Sequence, residues 1–186
     1  MAKGGDFERE ICKQLSLWWT KGERDDVFWR TSGSGARATV RAKKGLNTSL
    51  SHGDITAIDP IGVPFIQRVT VEIKRGYNDS SIAAMLDKPK TAKAQPWEVF
   101  LQQAVSSAQE AGTVWWWLIC KRDRKETLLY MPARMVRDFD KLGMLPRAYF
   151  FLEAKATDNT PMRVSVYACL LTDFLSIVSP EQLTSR

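Results

Sequence analysis

The seven residues from Val114 to Cys120 form the longest uninterrupted apolar run in the chain, and they constrain its fold more than any other segment. The run is too short to cross a membrane and has the length of a strand. A strand with no polar face needs cover on both sides, so Thr113–Cys120 is expected at the centre of a sheet between helical layers. The tryptophan run Trp115-Trp116-Trp117 then belongs to the core and not to a base-stacking surface.

The flanking pattern supplies those layers. Trp97, Phe100, Leu101, Ala104, Val105 and Ala108 share one side of a helix over Trp97–Ala111, which Gly112 ends. Phe7, Ile11, Leu15 and Trp18 mark a first helix capped by Asp6 and running to about Thr20. Strands are expected at Val27–Trp29, Asp54–Ile58, Phe65–Lys74, Thr127–Met131, Ala148–Glu153 and Arg163–Leu170. The turn at Pro60-Ile61-Gly62 suggests that Asp54–Ile58 and Phe65–Lys74 pair as an antiparallel hairpin. The polar stretch 77–96 reads as an excursion with a short helix near 81–86. Helices are also expected from Pro132 to Leu142 and after Thr172. The result is one α/β domain over residues 1–186. Its mixed sheet is flanked by helices (an αβββαβ core over about 6–131), followed by an extension from about 132.

Composition limits the functional classes. The chain has 186 residues, of which 44% are hydrophobic. Its 27 Lys and Arg against 21 Asp and Glu give a net charge of +6, and the excess is concentrated. No acid occurs between Thr31 and Gly53, while Arg37, Arg41, Lys43 and Lys44 cluster among small polar residues, a pattern suited to nucleic acid or to a solvated basic loop. The three cysteines, Cys12, Cys120 and Cys169, are far apart in apolar surroundings and read as reduced core thiols. With His52 as its single histidine, the chain has little material for a histidine metal site or a Ser-His-Asp triad. The N-terminus carries no apolar signal stretch. The expectation is a cytoplasmic, nucleoid-associated protein.

The chemistry concentrates on Glu72-Ile73-Lys74. Alternation along a strand puts Glu72 and Lys74 on one face and Val71 and Ile73 on the other. A Glu-x-Lys pair also arises on any solvated edge strand. The hairpin, however, would bring Asp54 to the same end of the sheet, and two carboxylates held that close favour a divalent ion. On the first helix, Glu8 shares its stripe with Cys12, Leu15 and Trp19, at the edge of the buried face. Glu10 falls with the solvated residues. A carboxylate beside the core needs a metal or a cation as partner.

These residues resemble the PD-(D/E)xK nuclease superfamily, through Gly53-Asp54, Val71-Glu72-Ile73-Lys74 and a helix bearing Phe7-Glu8-Arg9. Within it, residues 3–76 are most similar to the archaeal-type Holliday junction resolvases. Lys3-Gly4 precedes Glu8-Arg9 at about the resolvase spacing, and Arg30 stands before Ser32-Gly33. Gly53 replaces the family's signature proline, and the segments 32–52 and 77–96 are longer than in compact resolvases.

The resemblance implies a restriction-endonuclease-like fold and a Mg²⁺-dependent endonuclease (with Mn²⁺ as a substitute), acting on branched or four-way DNA as a homodimer. Asp54, Glu72, the Ile73 carbonyl and Glu8 would be the metal ligands, and Lys74 would position the attacking water. Gln103 would be a further catalytic residue on the helix facing the site, with Gln102 a near-equal competitor. Arg30 and Ser32 would grip the phosphate, and Arg37, Arg41, Lys43 and Lys44 would neutralise its neighbours. His52 reads as a loop residue. The alternatives are a restriction-type or phage DNA-processing nuclease acting on duplex, and a catalytically silent DNA-binding module.

Overall fold

The structure is a computed structural model, described over residues 3–31, 53–78, 87, 89, 93–139, 145–155 and 160–184. A five-stranded mixed sheet forms its centre, in the spatial order β3 (Val69–Arg75), β4 (Trp115–Lys121), β5 (Thr127–Pro132), β7 (Pro161–Leu170) and β6 (Ala148–Lys155). β3 and β4 run parallel, with Glu72 opposite Leu118, and every other pair is antiparallel. Parallel neighbours need a crossover, and the helix α3 (Pro96–Ala111) provides it. The segment after residue 132 thus adds strands to the same sheet. The arrangement is a restriction-endonuclease-like mixed α/β fold.

Helices cover both faces. On one face lie α1 (Lys3–Trp19), the short α2 (Val63–Ile66), α5 (Leu171–Ile177) and α6 (Pro180–Thr184). They bury Phe7, Leu15, Phe65 and Phe174 against Val71, Ile73 and Trp117. On the other face α3 packs Trp97, Leu101 and Ala104 against Trp116, Leu118 and Tyr130. All three tryptophans of the 115–117 run are buried, alternately in the two layers. At roughly 1.5–3 kcal/mol for each fully buried large apolar side chain, this strand anchors both layers.

Two boundaries differ from expectation. Helix α1 begins at Lys3, so Asp6 lies in its first turn and not at its cap. There its carboxylate accepts from Arg9 Nη1 at 3.0 Å and favours the positive end of the helix dipole. The segment 133–139 holds a four-residue helix, α4 (Met135–Asp138). The short helix near 81–86 lies outside the described residues.

The expected hairpin does not form as a ladder. β2 (Ile55–Ala57) pairs instead with β1 (Phe28–Arg30), as a separate two-stranded sheet. The turn explains the change. The Asp59 carboxylate accepts the Ile61 N–H at 3.0 Å, tightening Pro60–Gly62 into a 3₁₀ turn that continues into α2. Phe65 thereby points into the core from a helical turn and meets Trp19, Phe28 and Trp117 at ring-centre distances of 5.0–5.5 Å. The returning strand starts only at Val69. On the other side, the buried Ser16 hydroxyl of α1 accepts the N–H groups of Val27 and Phe28 at 3.1 and 2.9 Å, holding β1 where β2 can pair with it.

Candidate active site

β3 is an edge strand of the main sheet, so one side of its backbone faces away from β4. Asp54, at the head of β2, closes that side. Its N–H donates to the Val71 carbonyl at 2.8 Å, and its Oδ2 accepts the Ile73 N–H at 2.7 Å. N–H and C=O of one residue leave an extended strand on the same side, so the Ile73 carbonyl faces this edge too. Asp54 and Glu72 therefore meet as expected, by a different route: one point of contact instead of a hairpin ladder.

Close approach at this point requires Gly53. Its φ is +78°, and a Cβ there would stand 2.6 Å from the Val71 carbonyl oxygen. Proline, fixed near φ −65°, does not fit this backbone, which accounts for the departure from the proline of the superfamily motif.

Along β3, the face turned to α3 carries Thr70, Glu72 and Lys74, and α3 answers with a matching polar stripe. Gln103 Nε2 donates to Glu72 Oε2 at 2.7 Å, and Ser107 Oγ donates to Oε1 at 2.9 Å. Thr113 Oγ1 meets Thr70 Oγ1 at 2.8 Å. Gln103 and Ser107 stand four residues apart and so share one helix face. Gln102 instead bonds Ser106, so Gln103 is the glutamine at this carboxylate. Ser107 was not singled out from the sequence, although its spacing from Gln103 carries the signal.

Lys74 joins the two acids. Its Nζ donates to Glu72 Oε2 at 3.1 Å and lies 3.8 Å from Asp54 Oδ2. Only 2% of Glu72 and 6% of Asp54 is exposed, so the cluster is nearly dry. Burial, reinforced by the Asp54 charge, pushes the Glu72 carboxyl up to about 7 against the opposing pull of Lys74 and Ser107. Burial would lower the Lys74 ammonium, but the Glu72 and Asp54 charges outweigh it and hold it above its usual value.

Glu8 approaches from α1. Its Oε2 lies 3.0 Å from Arg30 Nε, which supplies the cation that its position at the edge of the core demands. Burial, then the Asp54 charge, raises its carboxyl, and Arg30 opposes them. Gly5 makes room for this pair, since a Cβ there would lie 2.7 Å from Arg30 Nη1. Glu10 is more exposed and reaches Lys121 at 3.4 Å.

Chemically, two buried carboxylates, a strand carbonyl and a lysine form a hard-oxygen donor set beside a proton donor, a set that suits Mg²⁺. Among the described residues no group of three His, Cys, Asp or Glu side chains gathers closely enough to hold an ion, so Glu8 stands off from the Asp54–Glu72 pair. Ser32, Arg37, Arg41, Lys43, Lys44 and His52 lie outside the described residues. The cysteines are free thiols, with Cys12 and Cys169 buried. None of the described helices is long and apolar enough to cross a membrane.

A family model described as "Phage putative PDDEXK endonuclease" matches residues 1–185. No curated protein and no solved structure matches the chain significantly.

Proposed function

The chain belongs to the phage PDDEXK endonuclease family, and on that premise we propose that it hydrolyses DNA phosphodiesters with the aid of a divalent ion held at the free edge of β3. The observation that carries this reading is Lys74 standing between Asp54 and Glu72, 3.8 and 3.1 Å from their oxygens, in a nearly dry cluster. Asp54, Glu72 and the Ile73 carbonyl would hold Mg²⁺, or Mn²⁺ in its place, and Glu8, standing off from that pair, would orient a second ion or its bound water. The ion supplies acidity to a water and neutralises charge on the phosphate.

The chain's own groups do the rest. Lys74 positions the water and stabilises charge building on the phosphate oxygens. Gln103 and Ser107 fix the Glu72 carboxylate between them. Arg30, held ready by Glu8, and Ser32 grip the phosphate beside the scissile bond. Arg37, Arg41, Lys43 and Lys44 neutralise flanking phosphates, which makes binding fall steeply with salt.

Two DNA structures compete as substrate. The Lys3-Gly4, Glu8-Arg9, Arg30 and Ser32-Gly33 pattern favours a four-way junction. The phage family fits processing of ordinary duplex equally well. A junction reading entails paired cuts by a homodimer. It is supported by the edge strand β6, whose Tyr149 and Phe151 are exposed.

The test is Mg²⁺-dependent cutting of a four-way junction against linear duplex of the same sequence. Asp54→Asn should abolish cutting and leave DNA binding intact, because the amide oxygen still accepts the Ile73 N–H. A variant that continues to cut overturns the site. Symmetric nicks across the junction decide for resolution, and equal cutting of duplex decides against it.

A further inference from the structure

The polar row on β3 ends at Lys74, and beyond it a cavity of about 160 Å³ opens between the start of α3, the Gly76-Tyr77 turn and the end of the β4–β5 hairpin. Lys74, Tyr77, Trp97, Phe100, Arg122 and Tyr130 are among the residues lining it. Four of these six are aromatic. Trp97 packs against Tyr130 with ring centres 4.4 Å apart, and Tyr77 against Phe100 at 4.6 Å, both edge to face. Phe100 links the cavity to the candidate active site, because Lys74 Nζ lies 5.9 Å from the centre of its ring.

Tyr77 is the unusual member. Both it and Gly76 have left-handed backbones, with φ of 54° and 90°. A non-glycine residue resists that conformation, and strain of this kind gathers at ligand clamps. Tyr77 leans on the buried Phe100, and Asn78 beside it exchanges hydrogen bonds with Asp123, yet 52% of Tyr77 remains exposed. The chain thus holds a half-open phenol ring at the mouth of an aromatic cavity that begins at Lys74. The lining also holds the cations Lys74 and Arg122, with Glu126 as an acceptor. Flat π faces beside Lys74, with Arg122 as a donor and Glu126 as an acceptor, match one ligand class: a nucleobase still attached to its sugar-phosphate chain.

We propose that this cavity receives the base of a nucleotide adjoining the scissile phosphate, unstacked from its neighbours, with Tyr77 as its stacking platform. The assignment rests on the nuclease reading above. It makes Tyr77 a substrate-contacting residue that helps set which unpaired or easily unstacked positions are cut, because a base already free of its partner enters at least cost.

The experiment uses the full chain and DNA carrying 5-iodouracil at thymines on either side of the bond that the wild-type protein cuts. Irradiated with Asp54→Asn protein, one position should crosslink to the peptide containing Tyr77. Tyr77→Ala in the otherwise wild-type chain should raise KM by about five-fold or more with little change in kcat, as expected for one lost base stack, and Tyr77→Phe should restore it. If wild-type protein cuts the DNA while crosslinks form elsewhere or not at all, or if Tyr77→Ala leaves KM unchanged, the base pocket is overturned and the nuclease reading stands. If wild-type protein cuts no DNA, the reading beneath both proposals falls.

Discussion

At one edge of the central sheet, β3 turns its free backbone groups toward Asp54 and its side chains toward a row of polar partners. At the opposite edge, β6 shows Tyr149 and Phe151 to solvent, 51% and 62% exposed, under the guanidinium groups of Arg147 and Arg163. Among the described residues both strands lack a neighbour on one side, yet they handle that condition in opposite ways. β6 shields apolar rings with cations that keep their water. β3 draws charge inward, and its buried Glu72 is tolerable only because Gln103, Ser107 and Lys74 all donate to it. An edge that merely needs protection is inexpensive. An edge that stores a carboxylate at the wrong protonation energy is where the proposed divalent ion would gain most.

The largest test of that contrast is Glu72→Gln, which should separate activity from stability. With Mg²⁺ present, cleavage should fall by roughly a hundred- to a thousand-fold, as is usual when a group preorganised for the transition state is removed. Stability should move the other way. The folded protein holds the Glu72 proton up to about pH 7, against 4.5 for an ordinary glutamate. Folded wild-type protein therefore binds more protons than the unfolded chain across that window. Its stability falls as pH rises through the window, and the loss persists above it. The glutamine variant lacks this term. In chelator, urea unfolding at pH 5 and pH 8 should show the variant gaining roughly 1–3 kcal/mol on wild type between the two. A wild-type protein that holds its relative stability at pH 8 would mean that Glu72 carries no such strain.

Gly53→Pro attacks the same edge through its backbone. The substitution restores the superfamily's customary residue, but here φ is +78° and the Val71 carbonyl oxygen lies 2.6 Å from any Cβ. The expected cost is about 2–4 kcal/mol, seen as a lower melting temperature, with cutting lost as Asp54 is pushed off β3. Unchanged melting would show that Asp54 can approach β3 by another path.

How far the sequence reveals this edge depends on the range of the signal. The alternation that separates Glu72 and Lys74 from Val71 and Ile73 is a local property of any strand, and the central strand 114–120 shows itself by lacking a polar face. The helical stripe placing Glu8 nearer the core than Glu10 is equally local. The partner of β2 is not. Pro60-Ile61-Gly62 signals a turn, but only the Asp59 side chain and the burial of Phe65 make it helical, and only Ser16 on α1 brings β1 within reach of β2. Those are contacts between distant elements. The polar stripe of α3 falls between the two cases. Gln103 and Ser107 have helical spacing, but serine is commonplace on helices, and only the buried Glu72 beneath distinguishes this one from its neighbours.

Ser107→Ala should accordingly have a moderate effect. It removes one of the donors to a nearly dry carboxylate and costs about 1 kcal/mol in Mg²⁺-free protein. The Ser107 hydroxyl helps hold the Glu72 carboxyl down, so its loss should shift ionisation of Glu72 to higher pH. The pH–rate profile for cleavage should move its rising limb alkaline, with kcat at pH 7 reduced several-fold and recovered at higher pH. An equal loss at all pH values would mean that Ser107 acts by shaping the helix and not through Glu72.

The smallest effect on the folded chain belongs to the other edge. Phe151→Asp replaces a ring that is 62% exposed, so little burial is lost and the monomer should change by no more than about 0.5 kcal/mol. Its informative readout is assembly. If β6 pairs with a second copy, a carboxylate on this strand meets its symmetry mate in or near the interface, where like charges without a partner are disfavoured. Light scattering should then show a dimer becoming a monomer, and cutting of a four-way junction should change from paired to single nicks while the rate per nick is preserved. A variant that stays as associated as wild type moves the dimer contact away from β6. The exposed rings, capped by Arg147 and Arg163, would then be an edge kept from pairing, the reverse of the edge at β3.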